Sequence, residues 1–291
     1  MAMHLGEYAP NLIMIGAGKV GSTSIYKYLR DHPAVCLSKS KELFYFLPSA
    51  IRESHKPWGA ITTPEDYIAQ FSHYKPGQAI VEISTNYYAY PESAALIKAA
   101  CPQVKLLMVL RDPANRAFSS YNMRLRNVGD VRPLSKELTD TQSKFIQRGF
   151  YFAQLSTFLK SFNREQIKIL FFEEFIANKQ RFSQELCEFI GIEFFPWQQQ
   201  YHGRPGGAPQ KRWLHQLLSK QNPMRTAIEN MLTAFIDERE VEEARKKIIQ
   251  SNIKKVSLPP ALRGQIIQIY ANDIAQLEEF LGRDLSHWKK I

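Results

Sequence analysis

The chain has 291 residues, 44% of them hydrophobic and 12% aromatic, which suits a large buried core and excludes a wholly disordered chain. Its 38 Lys and Arg against 28 Asp and Glu give a formal charge of +10, which favours anionic ligands. The basic residues stand singly, in pairs or in a triplet, with no zinc-finger spacing and no basic heptads, so a nucleic-acid partner is not expected.

Cys36, Cys101 and Cys187 are odd in number and far apart, which argues against a disulfide framework or a thiolate zinc site. No basic region precedes a cleavable apolar stretch, and no apolar run approaches the roughly 18 residues of a membrane helix. The expectation is a single cytoplasmic domain over residues 1–291.

In chain order, the apolar run Asn11–Ile15 predicts a first strand, followed at once by Gly16, Gly18 and Gly21 and by a helix over Ser22–Asp31. Further strands are expected over Ala34–Leu37, Ala79–Ile83, Val104–Leu110 and Ile167–Phe172, with helical segments over Pro64–Phe71, Pro91–Ala100 and Ala114–Arg126. This alternation predicts an α/β fold with a central parallel sheet flanked by helices. After Phe172 the pattern is mainly helical. Leu262, Ile266, Tyr270, Ile274, Leu277 and Leu281 recur at steps of three and four, which predicts a long final helix stopped by Gly282. Between them His202–Gln210 holds three glycines and two prolines and reads as a loop.

The segment GAGKVGSTS, Gly16–Ser24, has three phosphate-binding readings. A Walker A loop needs lysine directly after the last glycine, whereas Ser22 follows Gly21 and Lys19 precedes it, so a nucleoside-triphosphate kinase is disfavoured. A dinucleotide fingerprint is matched literally by Gly16, Gly18 and Gly21, with Glu42 near the distance of the ribose-binding acid, although Glu42 lies several residues past the second strand. In the third reading Lys19 and the hydroxyls of Ser22, Thr23 and Ser24 surround a phosphate at a helix N-terminus. A plain Ser/Thr-rich helix cap is the bland alternative.

In LMVLRDPANRAFSSY, Leu107–Tyr121, Arg111 ends a strand and Ser119 follows about two helical turns later. The pair can offer a guanidinium fork and a hydroxyl to a second phosphate. Equally, Arg111 can pair with Asp112 while Ser119 faces the core.

Together these segments resemble the family of sulfotransferases that use 3′-phosphoadenosine 5′-phosphosulfate (PAPS), in its bacterial, heparan-sulfotransferase-like branch. GxxKxGSTS is similar to that family's 5′-phosphosulfate loop and RDPxxRxxSxY to its 3′-phosphate motif; LRDHP (Leu29–Pro33), GFYFAQLSTFL (Gly149–Leu159), ILFFEEF (Ile169–Phe175) and LGRDLSHW (Leu281–Trp288) lend support. The resemblance implies a P-loop-like sulfotransferase fold in which Gly18, Lys19, Val20, Gly21, Ser22, Thr23 and Ser24 hold the 5′ end of the donor. Lys19 would stabilise the bridging oxygen, Arg111 and Ser119 would bind the 3′-phosphate, and Lys211 and Arg212 would bring further charge over it. KELFYF, Lys41–Phe46, is like the family's KExxFF, which implies Glu42 as general base. A carboxylate paired with Lys39 or Lys41 is its alternative.

The donor would leave as 3′-phosphoadenosine 5′-phosphate (PAP), with no metal in the reaction. Where the glycosaminoglycan enzymes carry EKSPxY, this chain has EISTNYY (Glu82–Tyr88), with Ile83 for lysine and Thr85 for proline. A cation near the acceptor is thus absent from that motif, which turns the expectation from glycosaminoglycans to a small-molecule, lipid, simpler sugar or carrier-protein-bound hydroxyl or amine. Phe44–Phe46 and Tyr87–Tyr90 would line its pocket or pack the core. An NAD(P)-dependent oxidoreductase and a catalytically silent nucleotide-binding module remain the alternatives.

Overall fold

Apolar runs without polar alternation are the pattern of strands covered on both faces, and five of them form the sheet. The computed structural model describes residues 5–128, 131–198, 207–219, 223–233 and 235–291. The strands are β1 (Leu12–Gly16), β2 (Val35–Leu37), β3 (Ala79–Ile83), β4 (Lys105–Leu110) and β5 (Ile167–Phe171). All neighbours are parallel, in the order β2-β3-β1-β4-β5. Every residue of β1, β2 and β3 is buried. The expected α/β fold is therefore present, with strand ends within a residue of those read from the sequence.

This order fixes where a ligand is best received. From β1 the chain crosses by the helix α1 (Ser22–Asp31) to β2 on one side of the sheet, whereas β4 leads to β5 on the other. The carboxyl ends of β1 and β4 thus flank a topological switch point, where open α/β sheets bind their ligands. At the end of β4 Asp112 starts the helix Pro113–Val128: its Oδ1 accepts from Asn115 N at 2.9 Å, and Pro113 follows in the first turn, where no donor is lost.

Contacts group the described residues into two compact units. The first is drawn from Met1–Arg116, Gln147–Arg204 and Tyr270–Lys290, and the second from Ala117–Ile146, Pro205–Ile269 and Ile291. The first unit holds the whole five-stranded sheet. Phe44, Tyr45, Phe46, Tyr87 and Tyr88 are all buried there, and Tyr45 stacks on Tyr67 with ring centroids 4.5 Å apart. These rings therefore serve the core rather than an open pocket. Cys36, Cys101 and Cys187 are free and buried, as small apolar residues.

In the second unit a short antiparallel ladder joins β6 (Ala208–Pro209) to β7 (Ile253–Lys254). Of the loop expected over His202–Gln210, residues 202–206 lie outside the described residues, and Ala208–Pro209 are strand instead. Asn252 holds this edge: Gln210 N donates to its carbonyl at 2.9 Å, Lys211 N donates to its Oδ1, and its Nδ2 donates to the Lys211 carbonyl, the last two at 3.0 Å. The final helix, Pro260–Leu281, ends as expected at Gly282, whose φ of 58° is the left-handed stop that glycine allows. Among the described residues no helix is long and apolar enough to cross a membrane.

Candidate functional site

The glycine-rich segment leaves β1 at the switch point, and its glycines have different reasons to be there. A Cβ on Gly16 would stand 2.5 Å from Tyr88 Cδ1 and 2.7 Å from Cγ. That ring is buried and tethered, its hydroxyl donating to the Arg148 carbonyl at 2.8 Å. A Cβ on Gly18, by contrast, would meet only Thr85 Oγ1, at an ordinary 3.7 Å. Gly21 has φ 79°. Gly16→Ala is therefore expected to destabilise the protein by about 1–3 kcal/mol through overpacking, read as a lower midpoint in urea, whereas Gly18→Ala should be tolerated sterically.

α1 begins on Ser22 with Gly21 as its cap, and Gly21 offers no side chain to the first-turn N–H groups. Such a terminus presents donors and a positive dipole end to an anion. Lys19, within the loop, has φ 76°, a left-handed conformation that costs a non-glycine residue about 1–2 kcal/mol. One visible restraint on it is Arg111, whose Nη1 donates to the Lys19 carbonyl at 3.0 Å. Strain held by surrounding structure is typical of functional loops.

Arg111 sits at the carboxyl end of β4. Its guanidinium lies 4.6 Å from the Phe172 ring centroid, and its carbonyl accepts from Tyr151 Oη at 2.8 Å. Burial lowers its pKa, opposed by Glu173, Tyr151 and Asp112. The structure thus joins Arg111 directly to the loop rather than to Asp112, whose Oδ1 caps the helix. Ser119 is half-buried on the helix Pro113–Val128 and belongs to the second unit. Lys211 is exposed in the second unit, and Arg212 opens the helix Arg212–Ser219, its side chain lying outside the described residues.

Glu42 is placed by the end of β3. Its N–H donates to the Ile83 carbonyl at 2.9 Å. Its carboxylate accepts from Thr85 twice, Oε2 from the N–H at 2.9 Å and Oε1 from Oγ1 at 2.7 Å. Thr85 stands where the resemblance has proline, and a proline has no N–H to give. This departure from the motif therefore adds a donor to the carboxylate. Burial raises the Glu42 pKa; Lys41, the two bonds from Thr85 and Arg148 pull it back. Arg148 thus brings a cation toward Glu42 from outside the EISTNYY motif. Glu42 has φ 59° and Phe44 φ 57°, so the segment is strained as well.

Glu42 is bonded to Thr85 with Lys41 acting on its charge, and both lysines of the paired alternative also reach hydroxyls. Lys39 Nζ donates to Ser72 Oγ at 2.6 Å. Lys41 Nζ donates to Ser22 Oγ at 2.9 Å and lies 3.5 Å from Thr23 Oγ1. Lys41 is a cation at the phosphate loop that the sequence reading treated only as a neighbour of Glu42. Its position one residue before the acid was the available signal. The dinucleotide reading loses its companion, since the Glu42 carboxylate is engaged by Thr85 and Gly16 is used for packing on Tyr88. Among the described residues no group of three or more His, Cys, Asp or Glu could hold a metal ion.

Residues 64–196 match the family model described as "Sulfotransferase family", a segment that begins after the loop and Glu42. Over 194 residues the chain is 27% identical to heparan sulfate glucosamine 3-O-sulfotransferase 3B1 of Mus musculus, covering 63% of this chain and 46% of that protein. Over 208 residues it is 25% identical to bifunctional heparan sulfate N-deacetylase/N-sulfotransferase 1 of Caenorhabditis briggsae, covering 65% of this chain and 23% of that protein. The chain thus spans less than half the length of these curated relatives. In fold it is similar to the crystal structure of a sulfotransferase from Alicyclobacillus acidocaldarius, with a TM-score of 0.71, 24% identity, and 97% and 99% of the two chains covered.

Proposed function

We propose that this chain, whose residues 64–196 match the sulfotransferase family model, transfers the sulfuryl group of PAPS to an acceptor hydroxyl or amine. One observation carries the reading most: Thr85 holds both oxygens of the Glu42 carboxylate and is also the nearest neighbour a Cβ on Gly18 would meet. A carboxylate base and a cationic phosphate loop are thereby linked through one residue at the switch point of the sheet.

The residues of the loop fit the donor's 5′ end. Gly18, Val20 and Gly21 carry no polar side chain between ligand and backbone, Ser22, Thr23 and Ser24 offer hydroxyls, and Lys19 with Lys41 supplies positive charge. Arg111 is read as a ligand of the 3′-phosphate on the likeness of RDPxxRxxSxY to the family's motif, and Ser119, Lys211 and Arg212, which belong to the second unit, keep the roles that the resemblance implies for them. The whole of residues 1–291 is read as one sulfotransferase domain, since the chain passes repeatedly from one unit to the other.

Glu42 takes the acceptor's proton as the acceptor oxygen or nitrogen bonds to sulfur. The bond between sulfur and the 5′-phosphate oxygen breaks, and its electron pair stays on that oxygen as PAP forms. Lys19 and the start of α1 neutralise the charge that develops there. The protein's share is position and electrostatics, because the donor is already activated.

PAP at 100 times its dissociation constant should stabilise the fold by about 2.7 kcal/mol. A thermal-shift comparison is expected to show this for PAP and little for NAD(H), NADP(H) or ATP; a larger shift with NAD(P)H would return the oxidoreductase reading. For the acceptor, the names of the curated relatives bring glucosamine-containing sugars into the screen, while Ile83 in place of lysine keeps lipids, phenols and carrier-bound hydroxyls beside them. Labelled-sulfate transfer across that panel decides among them. Free buried cysteines suit a reducing, cytoplasmic compartment.

A further inference from the structure

Glu82 is fully buried in β3, where an ionised carboxylate is costly unless it is fully bonded. It is so bonded. Ser84 Oγ donates to its Oε1 at 2.6 Å, Tyr87 Oη to the same oxygen at 2.7 Å, and Tyr67 Oη to Oε2 at 2.7 Å.

Two of these hydroxyls do a second task. A hydroxyl has one proton, so each that donates to Glu82 is left with only lone pairs for other partners. Ser84 Oγ accepts from Leu43 N at 3.0 Å, and Tyr87 Oη accepts from Phe46 N at 3.3 Å. Those N–H groups belong to the segment that carries Glu42, and they flank Phe44, the second residue there with positive φ. The orientation of both hydroxyls, and through them the left-handed turn, depends on an acceptor at position 82.

We propose that Glu82 is a positioning residue for Glu42: through Ser84 and Tyr87 it fixes the backbone of the segment that presents the base. This rests on the reading of Glu42 as base. Burial raises the Glu82 pKa and the Glu42 charge adds to that, while the hydroxyls of Ser84, Tyr87 and Tyr67 pull it back. The charged groups acting on Glu42 are Lys41 on its own segment and Arg148 before the helix Tyr151–Leu159, and both oppose burial. Around Glu82 the remaining titratable groups are Tyr67, Tyr87 and Cys101, all buried and with raised pKa values.

The test is a titration of glutamate side-chain carboxyls labelled with carbon-13 in the full chain, with Glu42→Gln identifying the Glu42 resonance. In Glu82→Gln a single oxygen remains, so one or two of the three hydroxyls lose their acceptor and the hold on the Glu42 segment loosens. The Glu42 resonance is expected to titrate at higher pH, because the bonds from Thr85 that lower its pKa weaken, and turnover on whichever acceptor the screen returns should fall about tenfold to a hundredfold, with PAP affinity kept. A Glu42 titration unchanged in a folded Glu82→Gln protein overturns the proposal. If that variant does not fold, Ser84→Ala and Tyr87→Phe each remove one bridge; a higher Glu42 titration in either variant supports the proposal, and no rise in either overturns it. Full turnover in Glu42→Gln is a different failure, that of the base, and is read by activity rather than by the titration.

Discussion

Lys19→Ala is expected to lower turnover by about a hundredfold to a thousandfold, the usual cost of removing one preorganised group from developing charge, while PAP binds nearly as well as before. The distinction follows from when the charge appears. The oxygen bridging sulfur and phosphate gains charge only as the bond breaks, so a cation aimed at it acts on the transition state more than on the bound donor. The backbone and the side chain can be separated. Lys19 has φ 76°, and alanine keeps that strain while glycine relieves it, so Lys19→Gly should be more stable than Lys19→Ala yet equally slow. Lys19→Arg keeps the charge but spreads it over a larger planar group and should recover part of the rate. Single-turnover rates beside PAP dissociation constants provide the measurement. A loss of affinity as large as the loss of rate would assign Lys19 to ground-state binding alone.

What the sequence made legible follows from the range over which each feature is determined. Ala79–Ile83 and Ser22–Asp31 fall where they were expected, because strands buried on both faces and a helix after a glycine turn announce themselves in a few adjacent residues. Lys41 did not, since its bond to Ser22 spans 19 positions and exists only because residues 38–46 run along the end of β3. Thr85 was read as a departure from a motif, and its two bonds to Glu42 appear only once that segment is folded against it. Glu82 draws its donors from a helix, a strand end and a short turn, three elements that no local pattern joins. Ala208–Pro209 lies in a glycine- and proline-rich stretch that reads as loop, and its two-residue ladder depends on Ile253–Lys254 far along the chain.

Glu42→Gln should lower turnover by about a hundredfold to ten-thousandfold, the range for loss of a positioned base, and the pH profile should carry a sign specific to this site. Turnover needs the ionised carboxylate, so it falls as pH drops through the Glu42 pKa. Burial raises that pKa above the ordinary carboxylate value, so the acid limb of kcat should lie above the usual carboxylate range and vanish in Glu42→Gln. The two residues that hold Glu42 then both move the limb upward. Thr85 Oγ1 donates to the ionised form and lowers the pKa, so Thr85→Val should carry the limb to higher pH. Glu82 holds the backbone that brings Glu42 to Thr85 through Ser84 and Tyr87, so Glu82→Gln should carry the limb the same way. Limb shifts that follow the Glu42 carboxyl titration in each variant require Glu42 to be the group whose ionisation limits turnover, whereas shifts that leave that titration where it was would mean that both substitutions merely loosen the fold.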